Sequence, residues 1–275
     1  MEYTTFAIFT LYFFTIYYCF GPDKIIQVDP MTWWISLSAT TALIFLYSVY
    51  GKICQESKLR RYARIVCFCY MHRAIFMHCT VERDCFWDFP LCSPLWGRLV
   101  ACTGELTFVY MASRQLIANT KISNLVVFLI SIAQTISFIG VMKKHYYWFF
   151  IENSIWTICA FGMAIHMLMY NKKKKFNAVT YILLAFVIYN VTEDLPMYLK
   201  RDAEKTHLNN YNIGVIEGAI DAITCDVVSQ SSKIWDPQML WQTLNYTTVP
   251  MACISFMVVE NIDVGDDGNN KKKDA

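Results

Sequence analysis

Charge is scarce in this sequence. Asp, Glu, Lys and Arg make up 17% of the residues, against about 25% in soluble domains. Hydrophobic residues reach 56% and mean hydropathy is +0.32. The apolar surplus lies in long runs, so an integral membrane protein is expected rather than a soluble domain. The common catalytic signatures are also missing. There is no G-x-x-x-x-G-K phosphate loop, no G-x-G-x-x-G, no H-E-x-x-H and no G-x-S-x-G, so nucleotide binding and the familiar metallopeptidase and esterase chemistries lack their motifs. Metal-type C-x-x-C pairs are absent. The last apolar run, MLWQTLNYTTVPMACISFMVV, contains no Lys, which argues against a retinal Schiff base in the final helix. Basic residues form a few clusters rather than a stripe, and the net charge is +2, so nucleic acid is not an expected partner.

The first run, TTFAIFTLYFFTIYYCF, follows Met1 and Glu2 with no Lys or Arg, and GPDK follows it where a small-residue cleavage site would stand. It reads as a retained span rather than a leader. Of the 11 cysteines, Cys67, Cys69, Cys102, Cys159 and Cys253 lie in apolar runs and are expected in the core. Cys79, Cys85 and Cys92 lie in or beside the polar stretch CTVERDCFWDFPLC. Two of these three are candidates for a disulfide if that loop meets an oxidising compartment, and their spacing leaves the pairing open.

A bilayer core needs about 20 apolar helical residues. The runs that qualify are Thr4–Phe20, Met31–Tyr50, Gly97–Leu116, Ile122–Met142, Tyr146–Tyr170, Phe176–Tyr189 and Met239–Val259. Aromatic residues at their ends, such as Trp33 with Trp34 and Tyr146 with Trp148, suit the membrane interface. Arg64–Thr80 is short and carries His72 and Arg73. Charge bias decides its reading. The connections GKICQESKLRRYAR and NKKKK are both expected in the cytoplasm. An even number of crossings must separate them, so Arg64–Thr80 is counted as a span. The expected fold is all-α: a polytopic transmembrane helix bundle over residues 1–260, with about eight spans, an outer loop region at 199–238 and both termini cytoplasmic. Residues 261–275, ENIDVGDDGNNKKKDA less its first residue, read as a disordered polar cytoplasmic tail. Within 199–238, Gly214, Gly218 and Ala222 recur every four residues. They form a small-residue face that permits close helix approach.

Ionisable groups within spans are costly and often mark function. Glu105 lies eight residues into its run, about 12 Å along the axis at 1.5 Å per residue. Glu152 and Asn153 lie near the outer end of theirs, and Glu193 and Asp194 close the outward run ending at Tyr189. The polar layer therefore falls in the outer or lumenal half. Glu105, Glu152 and Asp194 are the candidate catalytic acids, because carboxylates there can do acid–base work. Two bare carboxylates this close would compete for ionisation. Asn153, Glu193, His72, Trp156 and Asn245 are the candidate substrate contacts. No metal is expected, and the sequence assigns no cofactor. Expected partners are the bilayer and a lipid or small amphiphilic ligand. The bland alternatives have equal standing at several positions: Glu193 and Asp194 as a solvated helix end, Arg98 as a structural partner of Glu105, and Glu152, Trp156, Cys159, Met163 and His166 as a bundle seam.

Three functional readings follow. The first is a membrane-embedded enzyme acting on a lipid or amphiphile. The second is a proton- or cation-coupled transporter, and the third a non-catalytic scaffold. The stretch ENSIW resembles the Asn-x-x-Trp element of sterol-isomerase-like membrane proteins over those few residues. The span count here is larger, and no function is carried over. The composition places the chain in a membrane and does not separate plasma membrane from endomembrane.

Overall fold

The structure, a computed structural model, describes residues 28–51, 58–79, 81–117, 119–170, 177–205 and 211–270. It is all-α apart from one very small strand pair. Helix α1, Pro30–Tyr50, starts where Asp29 accepts the N–H groups of Met31 and Thr32 at 3.1 and 3.0 Å, with Pro30 at its first position. Each device suits a helix start, where backbone N–H groups lack partners. Its other end is closed by the next helix. Arg60 donates to the carbonyls of Ser48, Val49 and Gly51 at 3.3, 2.8 and 2.8 Å, satisfying oxygens that the helix leaves free.

Helix α2, Lys58–Ile75, packs against α1, against α3 (Pro94–Leu116) and against the last helix, α9 (Ser232–Asn270). It begins and ends earlier than the expected Arg64–Thr80 span. Residues beyond Ile75 turn instead into a loop in which Cys79 N–H donates to Asp84 O at 2.7 Å. The low hydropathy that made this segment ambiguous follows from its place. Neighbouring helices, not lipid, cover Arg60, Cys67, Tyr70, His72 and Arg73. Gly104 on α3 lets it approach, since an added Cβ would lie 2.8 Å from the Cβ of Cys69.

Helices α4 (Thr120–Lys143) and α5 (Tyr146–Tyr170) continue the run of neighbours packed in chain order, and α6 (Asn177–Tyr189) packs on α5. Lys144, in the left-handed region at φ 55°, turns the chain between α4 and α5. Helices α1, α4 and α5 are each long and apolar enough to cross a membrane by length and composition. The expected Thr4–Phe20 span and the NKKKK connection lie outside the described residues. Helix α9 contains the expected Met239–Val259 run and extends into the polar stretch beyond it.

One end of the bundle is fastened by covalent and polar clasps. Strand β1, Asp84–Cys85, pairs in parallel with β2, Val227–Val228. Cys85 is disulfide-bonded to Cys225. This corrects the expected loop-internal pairing: Cys85 is bridged, its partner comes from 140 residues away, and Cys79 and Cys92 are free and buried. Arg83, fully buried at φ 58°, donates to Val141 O and Gly218 O at 3.3 and 3.1 Å and pairs with Asp221. The short helix α8, Val215–Asp221, lies against the end of α4. Gly218 makes that approach possible, because an added Cβ would lie 1.5 Å from Met142 O.

Candidate functional site

Five side chains from four helices meet inside the bundle, towards the end that carries the disulfide. Arg98 and Glu105 come from α3, Arg73 from α2, Gln134 from α4 and Glu152 from α5. Arg98 Nη2 donates to Glu152 Oε1 at 2.7 Å and lies 3.5 Å from Glu105 Oε2. Arg73 Nη1 lies 3.3 Å from Glu105 Oε1. Gln134 joins the two halves: its Oε1 accepts from Arg98, and its Nε2 donates to Glu105 Oε2 at 2.7 Å. The same nitrogen is 3.5 Å from Glu152 Oε1. All five residues are 9% exposed or less. Two guanidiniums thus face two carboxylates, and the group is electrically balanced. Arg73 also lies over the ring of Tyr246 on α9, 4.9 Å from its centroid. Ion pairs of this kind are tolerated in a low-dielectric interior only when matched in charge and hydrogen-bonded.

The two bare carboxylates expected from the sequence are therefore not bare. Glu105 and Glu152 do come together, but Arg98 bridges them and Arg73 pairs with the other oxygen of Glu105. Arg98, expected as a partner of Glu105, contacts Glu152 as well. Gln134 had no place in the expected layer, although a lone amide in the run VVFLISIAQTISFIGV was its signal.

A second polar group lies beside this network. Helix α6 does not stop at Tyr189. It passes through a π-turn, Asn190–Asp194, into α7, Leu195–Lys205. Pro196 explains the turn. A proline in a regular helix loses its own hydrogen bond and presses on the carbonyl four residues back. The wider turn avoids this, and the N–H of Leu195 bonds Asn190 O, five residues back. The turn buries Asn190 and Asp194, 0% and 1% exposed, and leaves Glu193 exposed. Asp194 Oδ2 and Asn190 Oδ1 have no hydrogen-bond partner among the described residues. One helical turn further on, Tyr198 stacks on Phe149 of α5 with centroids 6.0 Å apart, so this face of the turn looks towards α5. Asp194 is close enough to Glu152 and Arg201 to sense their charges.

The remaining expected residues make their contacts outside both groups. His72 Nε2 accepts from Trp96 Nε1 at 3.2 Å, and its ring packs on Phe76. Asn153 Nδ2 donates to Phe149 O in its own helix at 3.0 Å. Trp156 is half-buried against the hydrophobic core. Asn245 is half-buried, and its neighbour Tyr246 is the residue that meets Arg73. Among the described residues, no three His, Cys, Asp or Glu side chains gather as a metal-binding group.

The fastened end has its own electrostatics. Asp84 is pushed up to about 6 from its ordinary 3.8, by burial first and then by the nearby charges of Glu82 and Asp226. Glu82 pairs with Arg201 and Lys205 at 3.7 and 3.6 Å, tying α7 to the disulfide loop. The chain matches no protein-family model, and neither the curated proteins nor the solved structures include one similar to it.

Proposed function

We propose that this is a multi-pass membrane enzyme that transforms a lipid or another amphiphile at the outer or lumenal face, with Asp194 as its working acid–base group. In this reading about eight helices cross the bilayer, and the fastened end is the outer one. The Cys85–Cys225 disulfide supports that side, because such bonds persist in oxidising compartments. Lys58, Arg60, Arg61 and Arg64, at the end of α2 away from the disulfide loop, support it too.

The observation that carries the proposal is Asp194 itself: a buried carboxyl with an unpartnered oxygen, beside a balanced network whose own acids are already matched. Glu105 and Glu152 serve as the rigid frame, since carboxylates held by guanidiniums are poorly suited to exchanging protons. Depth favours a lipid substrate. Asp194 lies about 25 Å along the helix from Asn177, and Glu152 about 9 Å from Tyr146, at 1.5 Å per residue. Both fall within a turn or two of the outer boundary of a core about 30 Å thick, where lipid head groups begin. Carrier sites usually lie at the midplane. The interrupted α6–α7 helix is the one feature that favours the proton- or cation-coupled carrier instead.

Lipid profiles of membranes expressing wild type, Asp194→Asn and Glu193→Gln test the proposal. Wild type and Glu193→Gln should shift the same lipid species, and Asp194→Asn should match the empty vector. A lipid shift that survives Asp194→Asn removes the assignment. No lipid shift, with Asp194-dependent proton flux into proteoliposomes, moves the function to the carrier.

A further inference from the structure

We infer that the group held at the π-turn is a primary ammonium, so that the amphiphiles taken by this site are long-chain amines. The inference rests on the reading of Asp194 as the working group of an amphiphile site, and names the chemistry that site selects. Asn190 and Asp194 are four residues apart on one turn and both are buried, so they share a face. What each leaves unsatisfied is an acceptor. Asp194 Oδ2 is a carboxylate oxygen and Asn190 Oδ1 an amide oxygen, and neither has a donor among the described residues. The amide nitrogen of Asn190 donates one of its two N–H bonds to Phe186 O at 2.9 Å, which sets the nitrogen towards the helix backbone and the oxygen away from it.

Buried acceptors in a membrane protein are expensive unless a donor reaches them. A ligand group that satisfies this pair must bring several N–H or O–H bonds and, facing a carboxylate, is best positively charged. An ammonium has three donors and one charge. Aromatic faces attract cations, and Tyr198, one helical turn beyond Asp194, stacks on Phe149. The surrounding cations do not fill the role. Arg98 is committed to Glu152, Glu105 and Gln134. Arg201, two turns along the helix, pairs with Glu82 and lies over the ring of Tyr146. Its charge reaches Asp194, but it makes no hydrogen bond to Asp194 Oδ2. An anionic head group would meet the carboxylate of Asp194 and be repelled. A neutral alcohol would supply one donor for two acceptors.

The test is binding of three probes with one chain length, dodecylamine, dodecanol and dodecanoate, to the full-length protein in nanodiscs of neutral lipid, with empty nanodiscs subtracted. Wild type should bind dodecylamine about tenfold or more tighter than dodecanol, the scale of one charge-assisted hydrogen bond. Dodecanoate should bind weakest. Asp194→Asn should bring amine and alcohol to within about twofold, and Asn190→Leu should narrow the gap part of the way. Equal binding of the three probes by wild type overturns the inference whether or not the variants fold, as does saturable binding of sodium or calcium that displaces the amine. Asp194-dependent lipid turnover without amine preference would leave the enzyme reading standing and remove this one. Amine preference without turnover of any lipid would do the reverse.

Discussion

Replacing Arg98 by Met takes one guanidinium out of a network that holds two of each charge. What remains is Arg73 against Glu105 and Glu152, a net charge of −1 in a buried site. Replacing Glu152 by Gln leaves Arg73 and Arg98 against Glu105, a net charge of +1. Breaking one partner of a buried pair costs about 3–5 kcal/mol, because the other charge is left uncompensated. Both groups of this pair are well inside that regime, with side chains 6% and 5% exposed and 2.7 Å between the bonded atoms. The double variant Arg98→Met/Glu152→Gln restores balance, with Arg73 still facing Glu105. It should be less destabilised than the sum of the two single variants by about 1–3 kcal/mol, in the range of direct contacts. Reversible unfolding of the four proteins in mixed micelles, followed by tryptophan fluorescence, reads all the quantities needed. Additivity within about 0.5 kcal/mol would show that the two charges are not coupled, and the account of the network as a balanced frame would fall. Glu105→Gln also removes one charge from the network. It unbalances the frame, so loss of stability and loss of activity would arrive together, and that variant alone cannot identify a catalytic acid.

Three other outcomes are expected. Cys85 and Cys225 should resist alkylation in denatured, unreduced protein while Cys79 and Cys92 label, and Cys85→Ser should cost about 4–5 kcal/mol in the chain-entropy picture of a loop this long; labelling of Cys225 without reductant would refute the pairing. Asp84 binds a proton more tightly folded than unfolded, with an elevated value of about 6 against 3.8, so stability should fall as pH rises through that window; Asp84→Asn should flatten this part of the stability profile, and an unchanged slope would contradict the shift. Accessibility tags after Gln55 and within Lys172–Lys175 should report the cytoplasm, and a tag at Glu204 the outside. Labelling of the Gln55 and Lys172 tags from opposite sides would break the even-crossing argument and the depths built on it.

The apolar runs made most of the helices legible, because a run of about 20 residues in lipid has few structural options. Helix α5 coincides with its expected run, and the runs expected for α1, α3 and α4 lie inside those helices. Helix α2 was less legible for a physical reason. Its boundaries answer to α1, α3 and α9, and a helix face packed on protein is free of the hydropathy rule that lipid imposes. The disulfide was hidden because sequence spacing ranks near neighbours first, whereas β1 and β2 bring together chain segments 140 residues apart. The network was half legible: Glu105, Glu152 and Arg98 announce themselves by cost, but only packing shows that Gln134 sits among them.

Asp194 and Glu193 mark a different kind of limit. Adjacent carboxylates on a regular helix point about 100° apart at 3.6 residues per turn, so the apolar stripe upstream ought to say which one faces inward. That inference needs an unbroken phase. The π-turn bonds residues five apart instead of four and takes in one extra residue, which slips the phase by about one residue step. A stripe read along FNAVTYILLAFVIY therefore does not extend into NVTEDLPMYLKR. The only local warning is Pro196, which announces an interruption without saying whether the chain will kink, stop or widen. Here it widens. With Asn190 and Asp194 buried and Glu193 outside, the two buried, unsatisfied oxygens on which the proposed chemistry depends lie at the two ends of the turn across which the periodicity argument cannot be carried.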